Sequence, residues 1–282
     1  MITTALSATS ADGTSLGYRS LGQGPGLVLV HGSVESAASH DELASALADS
    51  FTVTLYDRRG RGASGPFGSS HGLGTEVADL AAVLAATGSE LVFGVSSGGL
   101  IALEAALSLP LRKVVVYEPA LVDSSYDMTS VDRYFARLAA GDVVGAMVAA
   151  MKAAQLGPPA LSRLPDFVLR PLVRLGMRAE ERSAAPGSFT MRQAAPTVAG
   201  DFRLVREAAG RASRYAEISA SVLLLGGGQS PPYLKDGLAT LERVLPVRQR
   251  VEFPRLGHGG SGNAAQRGNP LTVAGAMRTF LA

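Results

Sequence analysis

The sequence predicts an α/β fold, in which a mostly parallel sheet is flanked by helices and led by an antiparallel hairpin. Two observations carry this prediction: short, continuous apolar runs recur along the chain, and segments of helical composition lie between most of them. Continuous apolar runs are typical of strands buried on both faces, and strands that alternate with helices indicate a doubly wound sheet. The chain has 282 residues, 46% of them hydrophobic, which is enough for a large core.

The first element is a predicted β-hairpin. The segment "ALSATSADGTSLGYRSLG" contains two alternating runs on either side of Asp12-Gly13. An Asp-Gly pair tolerates the positive φ that a tight hairpin turn requires.

Strands and helices then alternate. The predicted strands are Leu27–Val30, Phe51–Tyr56, Leu91–Val95, Lys113–Tyr117, Ser221–Leu225 and Arg250–Phe253. The predicted helices are "DELASALADS" from Asp41, "TEVADLAAVLAAT" from Thr75, "SGGLIALEAALS" from Ser97, "LKDGLATLERVL" from Leu234 and "PLTVAGAMRTFL" from Pro270.

One interval departs from this alternation. Between Ala120 and Ala220 only helix-like segments occur, such as "VDRYFARLAAGDVVGAMVAAMKAA", separated by Pro and Gly. We interpret residues 121–216 as a helical insertion into a core formed by residues 1–120 and 217–282. The stretch Val131–Tyr215 has 13 Lys and Arg against 7 Asp and Glu, a balance of +6. Two explanations of this positive charge stay open. It belongs to a solvated, arginine-rich surface, or it attracts an anionic or carrier-linked substrate.

Composition excludes several classes of function. The absence of cysteine excludes disulfides, thiolate metal sites and a cysteine nucleophile. We expect a cytoplasmic protein without a membrane partner, because no secretory signal and no stretch of about 18 apolar residues is present. The net charge of +2, without a basic run interleaved with aromatic residues, argues against a nucleic-acid partner. The four histidines are scattered, so no metal site is expected. The sequence does not indicate an oligomeric state.

A nucleophile is predicted at Ser96. The pattern Gly-x-Ser-x-Gly occurs three times, centred on Ser15, Ser70 and Ser96. In "LVFGVSSGGLIALEAAL" an apolar strand stops at Ser96 and a helix begins at once, which is the context that a nucleophile elbow requires. The copy at Ser15 lies in the hairpin and the copy at Ser70 in a Gly/Ser/Pro loop, where turn formation explains the glycines.

A serine nucleophile needs a base, and the chain has four histidines, His31, His40, His71 and His258. His258 follows the last predicted strand in a glycine-rich loop, which can place the imidazole at the carboxyl end of the sheet. We favour His258 over His71, which lies in the Gly/Ser/Pro loop. His40 lies at a predicted helix start, and His31 follows a strand in "HGS".

These motifs resemble the α/β-hydrolase fold superfamily over nearly the whole chain. The resemblance rests on "LVLVHGS", "YDRRGRGASG", "GVSSGG", "VVVYEPAL" and "GHGG". It implies a mostly parallel sheet with an inserted helical lid after the sixth strand. It also implies that Ser96 attacks a carbonyl group, that His258 acts as base and then as acid, and that no metal or organic cofactor takes part. The oxyanion would then be bound by the backbone N–H groups of Ser33 and Ser97.

The third member of the triad departs from the common family pattern. Many members have an aspartate after the seventh strand, where this chain reads "LLLGGGQSPPYL" with Gln229 near the expected place. Glutamine cannot supply the negative charge that stabilises an imidazolium. We therefore predict Glu118, in "YEP" after the sixth strand, as the acid, with Asp123 and Asp201 as weaker candidates. Some members of the superfamily carry the acid at this strand end.

The predicted function is hydrolysis of an ester, lactone, thioester or related acyl compound through an acyl-enzyme at Ser96. Two alternatives stay open. One is a non-hydrolytic biosynthetic reaction in the same pocket, such as cyclisation or elimination. The other is an inactive fold that binds a small ligand, which the glutamine at position 229 keeps in consideration.

Overall fold

The chain is described by a computed structural model that covers residues 6–68, 71–155, 163–184 and 189–282. These residues form two compact units. One unit comprises the chain up to Ser124 and from Leu204 onward, and the other comprises Ser125–Arg203. The second unit lies within the sequence interval 121–216 that was predicted as an insertion, and the flanking residues of that interval belong to the first unit.

The first unit contains an eight-stranded sheet with the order β1-β2-β4-β3-β5-β6-β7-β8. Strands β3 to β8 are parallel to one another, whereas β1 and β2 form an antiparallel hairpin and β2 pairs antiparallel with β4. The predicted mixed α/β fold is therefore confirmed. The strands are β1 (Leu6–Thr9), β2 (Ser15–Leu21), β3 (Gly26–Val30), β4 (Thr52–Tyr56), β5 (Leu91–Val95), β6 (Lys113–Tyr117), β7 (Ser221–Gly227) and β8 (Arg248–Phe253).

Helices connect the parallel strands. In the first unit they are α1 (Asp41–Leu47), α2 (Leu73–Thr87), α3 (Ser97–Ala106), α9 (Pro232–Val244) and α10 (Pro270–Leu281). In the second unit they are α4 (Thr129–Ala139), α5 (Val143–Ala153), α6 (Asp166–Ser183), α7 (Met191–Ala194) and α8 (Val198–Ala208), the last of which ends in the first unit. No helix among the described residues is both long enough and apolar enough to cross a membrane.

Alternate side chains of the parallel strands enter two separate cores. Val28, Val92 and Val114 pack with residues of α2, α3 and α9, whereas Leu29 and Phe93 pack with residues of α1 and α10. Burial on both faces explains why these strands are continuous apolar runs in the sequence. The second unit has a small core of its own, in which the hydroxyl of Tyr134 donates a hydrogen bond to the carbonyl of Ala195 (2.6 Å).

The topology brings the predicted site residues to one edge of the sheet. His31 follows β3, Ser96 follows β5, Glu118 follows β6, and His258 lies in the loop after β8. Parallel neighbouring strands end at the same edge, and ligands of open α/β sheets bind there. The parallel register therefore collects residues that are far apart in the sequence.

Candidate active site

Ser96 occupies a sharp corner between β5 and α3. Its backbone has φ of 55° and ψ of −121°, in a region that residues with a side chain rarely adopt. The surrounding backbone holds this conformation, because the N–H of Ser96 donates to the carbonyl of Tyr117 (3.1 Å) and its carbonyl accepts from the N–H groups of Leu100 and Ala120. A strained conformation that its neighbours fix in this way is typical of functional positions. Ser96 itself is half-buried, so its hydroxyl is accessible.

Two glycines make the corner sterically feasible. A Cβ atom at Gly94 would collide with the backbone of Gly98, and a Cβ atom at Gly98 would collide with the carbonyl of Val30. The glycines two residues before and two after Ser96 are thus required where the chain doubles back. The copy of the motif at Ser15 lies in β2, and Ser69 and Ser70 of the remaining copy lie outside the described residues.

His258 and Glu118 form a hydrogen-bonded pair. The distance from Nδ1 of His258 to Oε2 of Glu118 is 2.8 Å. The other carboxylate oxygen, Oε1, accepts the N–H of Gly227 at 2.6 Å, and the Glu118 side chain has no exposed surface. A carboxylate at this distance holds the proton on Nδ1, which leaves Nε2 as the proton acceptor. The imidazole is 20% exposed, so a substrate can reach it.

Tyr117, the residue before Glu118, holds the histidine loop. Its hydroxyl donates to the carbonyl of Gly257 (2.8 Å), and its ring is nearly parallel to that of Phe253. Burial raises the pKa of Tyr117, so the phenol stays protonated and remains a donor. Gly260 is required in the same loop because a Cβ atom there would collide with the Tyr117 hydroxyl. Tyr117 was not among the site residues predicted from the sequence, although it stands directly before Glu118 in "YEP".

Gln229 and the weaker acid candidates Asp123 and Asp201 differ in their exposure. Gln229 is exposed, and its backbone N–H donates to the carbonyl of Leu256 (2.9 Å). Asp123 is exposed on the segment after β6, and Asp201 is buried on α8 in the second unit. The residue that contacts Nδ1 of the His258 imidazole is Glu118.

The three remaining histidines are buried away from solvent. His40 approaches the hydroxyl of Ser261 (3.4 Å), and Nε2 of His71 lies 3.4 Å from Oε1 of Glu76. His31 donates from Nδ1 to the carbonyl of Gly32 (2.9 Å) and accepts the backbone N–H of Arg58 at Nε2 (3.1 Å). A lone pair on Nε2 requires a neutral imidazole. His31 therefore shapes its own loop.

This burial predicts a pH dependence of stability. Burial lowers the pKa of both His31 and His40, so the unfolded chain binds protons more readily than the folded chain. The contribution of these two neutral imidazoles to stability is therefore fully present above the ordinary histidine pKa of about 6.5. It is lost as the pH falls below that value. Between about pH 6.5 and 5.5 we expect the free energy of unfolding to fall by about 1–3 kcal/mol, because each linked proton contributes up to about 1.4 kcal/mol per pH unit.

Urea unfolding at the two pH values measures this fall. The variant His40→Phe removes one of the two groups, so its pH dependence should be roughly half that of the parent. Carboxylates titrate at lower pH and contribute little in this window. A free energy of unfolding that stays constant over the window would contradict the prediction.

The loop after β3 lies against the nucleophile. A Cβ atom at Gly32 would be 3.2 Å from Cβ of Ser96, so the backbone at position 32 passes directly beside the corner. The loop is fixed by a hydrogen bond from the N–H of Gly32 to Oε2 of Glu35 (2.6 Å) and by a positive φ of 55° at Val34. Ser33 follows Gly32 and is half-buried.

Ser97 begins α3, immediately after the nucleophile. The first N–H groups of a helix have no acceptor within the helix, and they carry its partial positive charge. An anion formed beside Ser96 would therefore meet the N–H of Ser97. The backbone N–H groups of Ser33 and Ser97 accordingly stay the predicted oxyanion donors.

The sequence matches the alpha/beta hydrolase family over residues 27–269. An alpha/beta hydrolase from Sphaerobacter thermophilus superposes with a TM-score of 0.78 at 29% identity, covering 98% of this chain and 100% of the other. The esterase RhEst1 from Rhodococcus sp. superposes with a TM-score of 0.68 at 22% identity, covering 99% of this chain and 98% of the other.

A further similarity is found in sequence. The uncharacterized hydrolase YraK from Bacillus subtilis is 33% identical over 116 residues, which is 39% of this chain and 43% of YraK, so less than half of that relative is matched. The family match, in contrast, includes the nucleophile corner, the Glu118 strand end and the histidine loop. With the fold and these motifs, it establishes that the chain belongs to the alpha/beta hydrolase family.

Proposed function

We propose that this protein is a serine hydrolase that cleaves an ester, lactone, thioester or related acyl compound through an acyl-enzyme at Ser96. The observation that carries the proposal is the pairing of His258 with Glu118 (2.8 Å) at the sheet edge where Ser96 forms its strained corner. The proposed nucleophile, acid and base, Ser96, Glu118 and His258, follow one another along the chain in the order that is characteristic of this fold.

The first half-reaction forms the acyl-enzyme. Ser96 Oγ attacks the carbonyl carbon of the substrate, and its proton passes to Nε2 of His258. Glu118 stabilises the resulting imidazolium through Nδ1–H. The carbonyl oxygen becomes an oxyanion, which accepts hydrogen bonds from the backbone N–H groups of Ser33 and Ser97. The tetrahedral intermediate then collapses, and His258 returns the proton to the leaving alcohol, thiol or hydroxyl group.

The second half-reaction releases the acid. His258 removes a proton from a water molecule, and the hydroxide attacks the acyl carbon. The new tetrahedral intermediate expels Ser96 Oγ, which regains its proton from His258. The products are a carboxylic acid and the free enzyme, so no metal or organic cofactor is needed.

Labelling with a fluorophosphonate tests this proposal directly. Such a probe phosphonylates an activated serine, and we expect one adduct, which peptide mass spectrometry locates at Ser96. Turnover of a panel of p-nitrophenyl esters, lactones and acyl thioesters then identifies the acyl class. Labelling at another serine would contradict the assigned nucleophile.

The same experiment separates the alternatives. A non-hydrolytic biosynthetic enzyme would label at Ser96 and release a cyclised or eliminated product. An inactive fold that binds a small ligand would neither label nor turn over any substrate. The buried carboxylate of Glu118, which is hydrogen-bonded to His258, favours an active enzyme. A fold that only binds a ligand does not need a charged partner for an imidazole.

The positive charge of the helical insertion favours an anionic substrate, which narrows the proposed class of acyl compounds. Several basic side chains of the second unit are paired, as Arg170 with Asp142 and Lys152 with Asp166. Arg174, Arg178 and Arg182 of α6 are exposed. Exposed charges attract an opposite charge over a distance, so they favour the encounter with an anionic substrate without contacting it.

Ionic strength measures this attraction. Between about 0.05 M and 0.5 M salt, kcat/KM for an anionic ester should fall by about threefold or more, while kcat/KM for a neutral ester of the same size stays constant. The double variant Arg174→Gln/Arg178→Gln should reduce the salt dependence. If kcat/KM for the two esters depends equally on salt, the arginines form only a solvated surface and do not attract the substrate.

A further inference from the structure

Arg58 is a fully buried cation in the loop after β4. Its Nε donates to Oε2 of Glu76 (3.1 Å) and its Nη2 to Oε1 of the same carboxylate (2.7 Å). Neither side chain has any exposed surface. Since Glu76 lies on α2, this two-point contact fixes the guanidinium plane relative to the core of the first unit.

The rest of Arg58 contacts the two segments beside Ser96. Its Nη1 donates to the hydroxyl of Ser97 (3.1 Å) and to the carbonyl of His31 (3.3 Å). Its backbone N–H donates to Nε2 of His31 (3.1 Å). One residue thus holds both the loop after β3 and the first turn of α3.

These two segments carry the two oxyanion donors of the proposed mechanism. One donor is the N–H of Ser97, whose own side chain Arg58 contacts, and the other is the N–H of Ser33, two residues after His31. Oxyanion stabilisation depends on donors that are fixed before the reaction, and small displacements of such groups cost large factors in rate. A common support for both donors would fix their separation.

Stability alone does not account for a charge at this place. Burying an ion pair costs desolvation that its attraction only partly offsets, and apolar replacements of such pairs are often neutral or stabilising. The arginine fork offers what an apolar residue cannot, which is several donors in a rigid plane aimed at different segments. Lysine, with one flexible ammonium group, cannot contact Glu76, Ser97 and His31 in the same way.

We propose that Arg58 is a positioning residue that fixes the two oxyanion donor segments relative to each other. This inference rests on the proposed function, because it assigns Arg58 a role in the same acyl transfer. Arg58 does not touch the substrate and acts through the His31 loop and the first turn of α3.

The neighbouring arginine provides a matched control. Arg59 is also buried, and its guanidinium contacts Asp79, Asp12 and Thr14. These partners lie on α2 and in the β1–β2 hairpin turn, so the contacts brace a part of the first unit other than the oxyanion segments. Each substitution, Arg58→Lys or Arg59→Lys, therefore removes a two-point contact between a buried guanidinium and a carboxylate on α2. Only Arg58→Lys also disturbs the support of the oxyanion segments.

The experiment compares both variants with the parent by ester kinetics, thermal unfolding and amide hydrogen exchange. For Arg58→Lys we expect kcat to fall by about tenfold to a hundredfold while KM changes by less than about threefold, because binding in the ground state is retained. Exchange should be faster in peptides that span residues 31–35 and 96–99. For Arg59→Lys we expect kcat within about threefold of the parent, with faster exchange around residues 10–14.

Equal losses of kcat in the two variants would overturn the proposal, since both would then report general destabilisation. Unchanged exchange at residues 31–35 and 96–99 in Arg58→Lys would overturn it as well. If the parent neither labels nor hydrolyses any ester, the proposed function fails, and the exchange comparison alone decides whether Arg58 fixes the two segments.

A milder variant covers the case in which Arg58→Lys does not fold. Ser97→Ala removes the hydroxyl that Nη1 contacts and leaves both the backbone N–H and the pair with Glu76. Its kcat should fall by about threefold to tenfold without a change in KM. Parental kcat in this variant would contradict the proposed positioning role.

Discussion

Replacing Ser96 by alanine is expected to lower kcat on the authentic acyl substrate by at least about a thousandfold, with the fold intact. The hydroxyl is the only group removed, and the strained backbone around it is held by hydrogen bonds of the main chain to Tyr117, Leu100 and Ala120. In a catalytic triad the nucleophile, base and acid act as a unit, so loss of the nucleophile removes nearly all of their contribution. Steady-state kinetics and fluorophosphonate labelling both measure the effect.

The strained corner also predicts that the stability of this variant stays close to that of the parent. Alanine keeps the Cβ atom, so φ of 55° stays as unfavourable as it is for serine, and the thermal unfolding temperature should change little. Ser15→Ala is the matched control, because Ser15 lies in another Gly-x-Ser-x-Gly segment and is exposed on β2. Activity should survive that change. Near-parental turnover by Ser96→Ala would exclude the acyl-enzyme and favour the non-hydrolytic alternative.

The parts of the structure that could be predicted from sequence are those that local pattern determines. Continuous apolar runs correctly indicated inner strands such as β3, β5 and β6, because a strand buried on both faces carries few polar side chains. The edge strand β8 is largely exposed and has mostly polar residues, so its apolar signal is weak. The corner at Ser96 could be located because a strand ends and a helix begins there, and because a Cβ atom at Gly94 would collide with the backbone of Gly98 in the same segment. For Gly94 the signal and its cause lie within a few residues of each other, whereas Gly98 is required by the carbonyl of Val30 on another strand.

The supporting contacts could not be predicted, because they join residues that are distant in the sequence. Tyr117 contacts the carbonyl of Gly257, which lies 140 residues later. The run "RRGRG" has the composition of an exposed loop, yet Arg58, Arg59 and Arg61 are buried. Arginine is seldom fully buried unless it is paired, so the composition of this run alone does not indicate its burial.

A usable signal for these buried arginines was present in α2. Glu76 and Asp79 fall on the same helix face as Leu73, Leu80 and Val83, and this face is buried. Carboxylates at core-facing positions require buried cations, because an unpaired charge there would be very costly. The adjacent arginines of the preceding loop were the candidates to supply them.

Replacing Glu118 by glutamine is expected to lower kcat by at least about a hundredfold, because the change keeps the shape of the side chain and removes its charge. The carboxylate uses both oxygens as acceptors, one for Nδ1–H of His258 and the other for the N–H of Gly227. A glutamine side chain has one oxygen and one NH₂ group, so it can accept from only one of these two donors. Either Gly227 loses its acceptor, or His258 is driven into the tautomer that cannot receive the proton of Ser96.

Three further variants bracket this assignment. Gln229→Ala should change kcat by less than about tenfold, because the exposed side chain carries no charge. Asp123→Asn and Asp201→Asn should likewise retain activity if Glu118 supplies the charge. If kcat of either aspartate variant falls strongly while kcat of Glu118→Gln stays near that of the parent, the acid is that aspartate and not Glu118. If none of the carboxylate variants loses activity, Ser96 and His258 act as a dyad, and the hydrogen bond of 2.8 Å from His258 to Glu118 has a structural role.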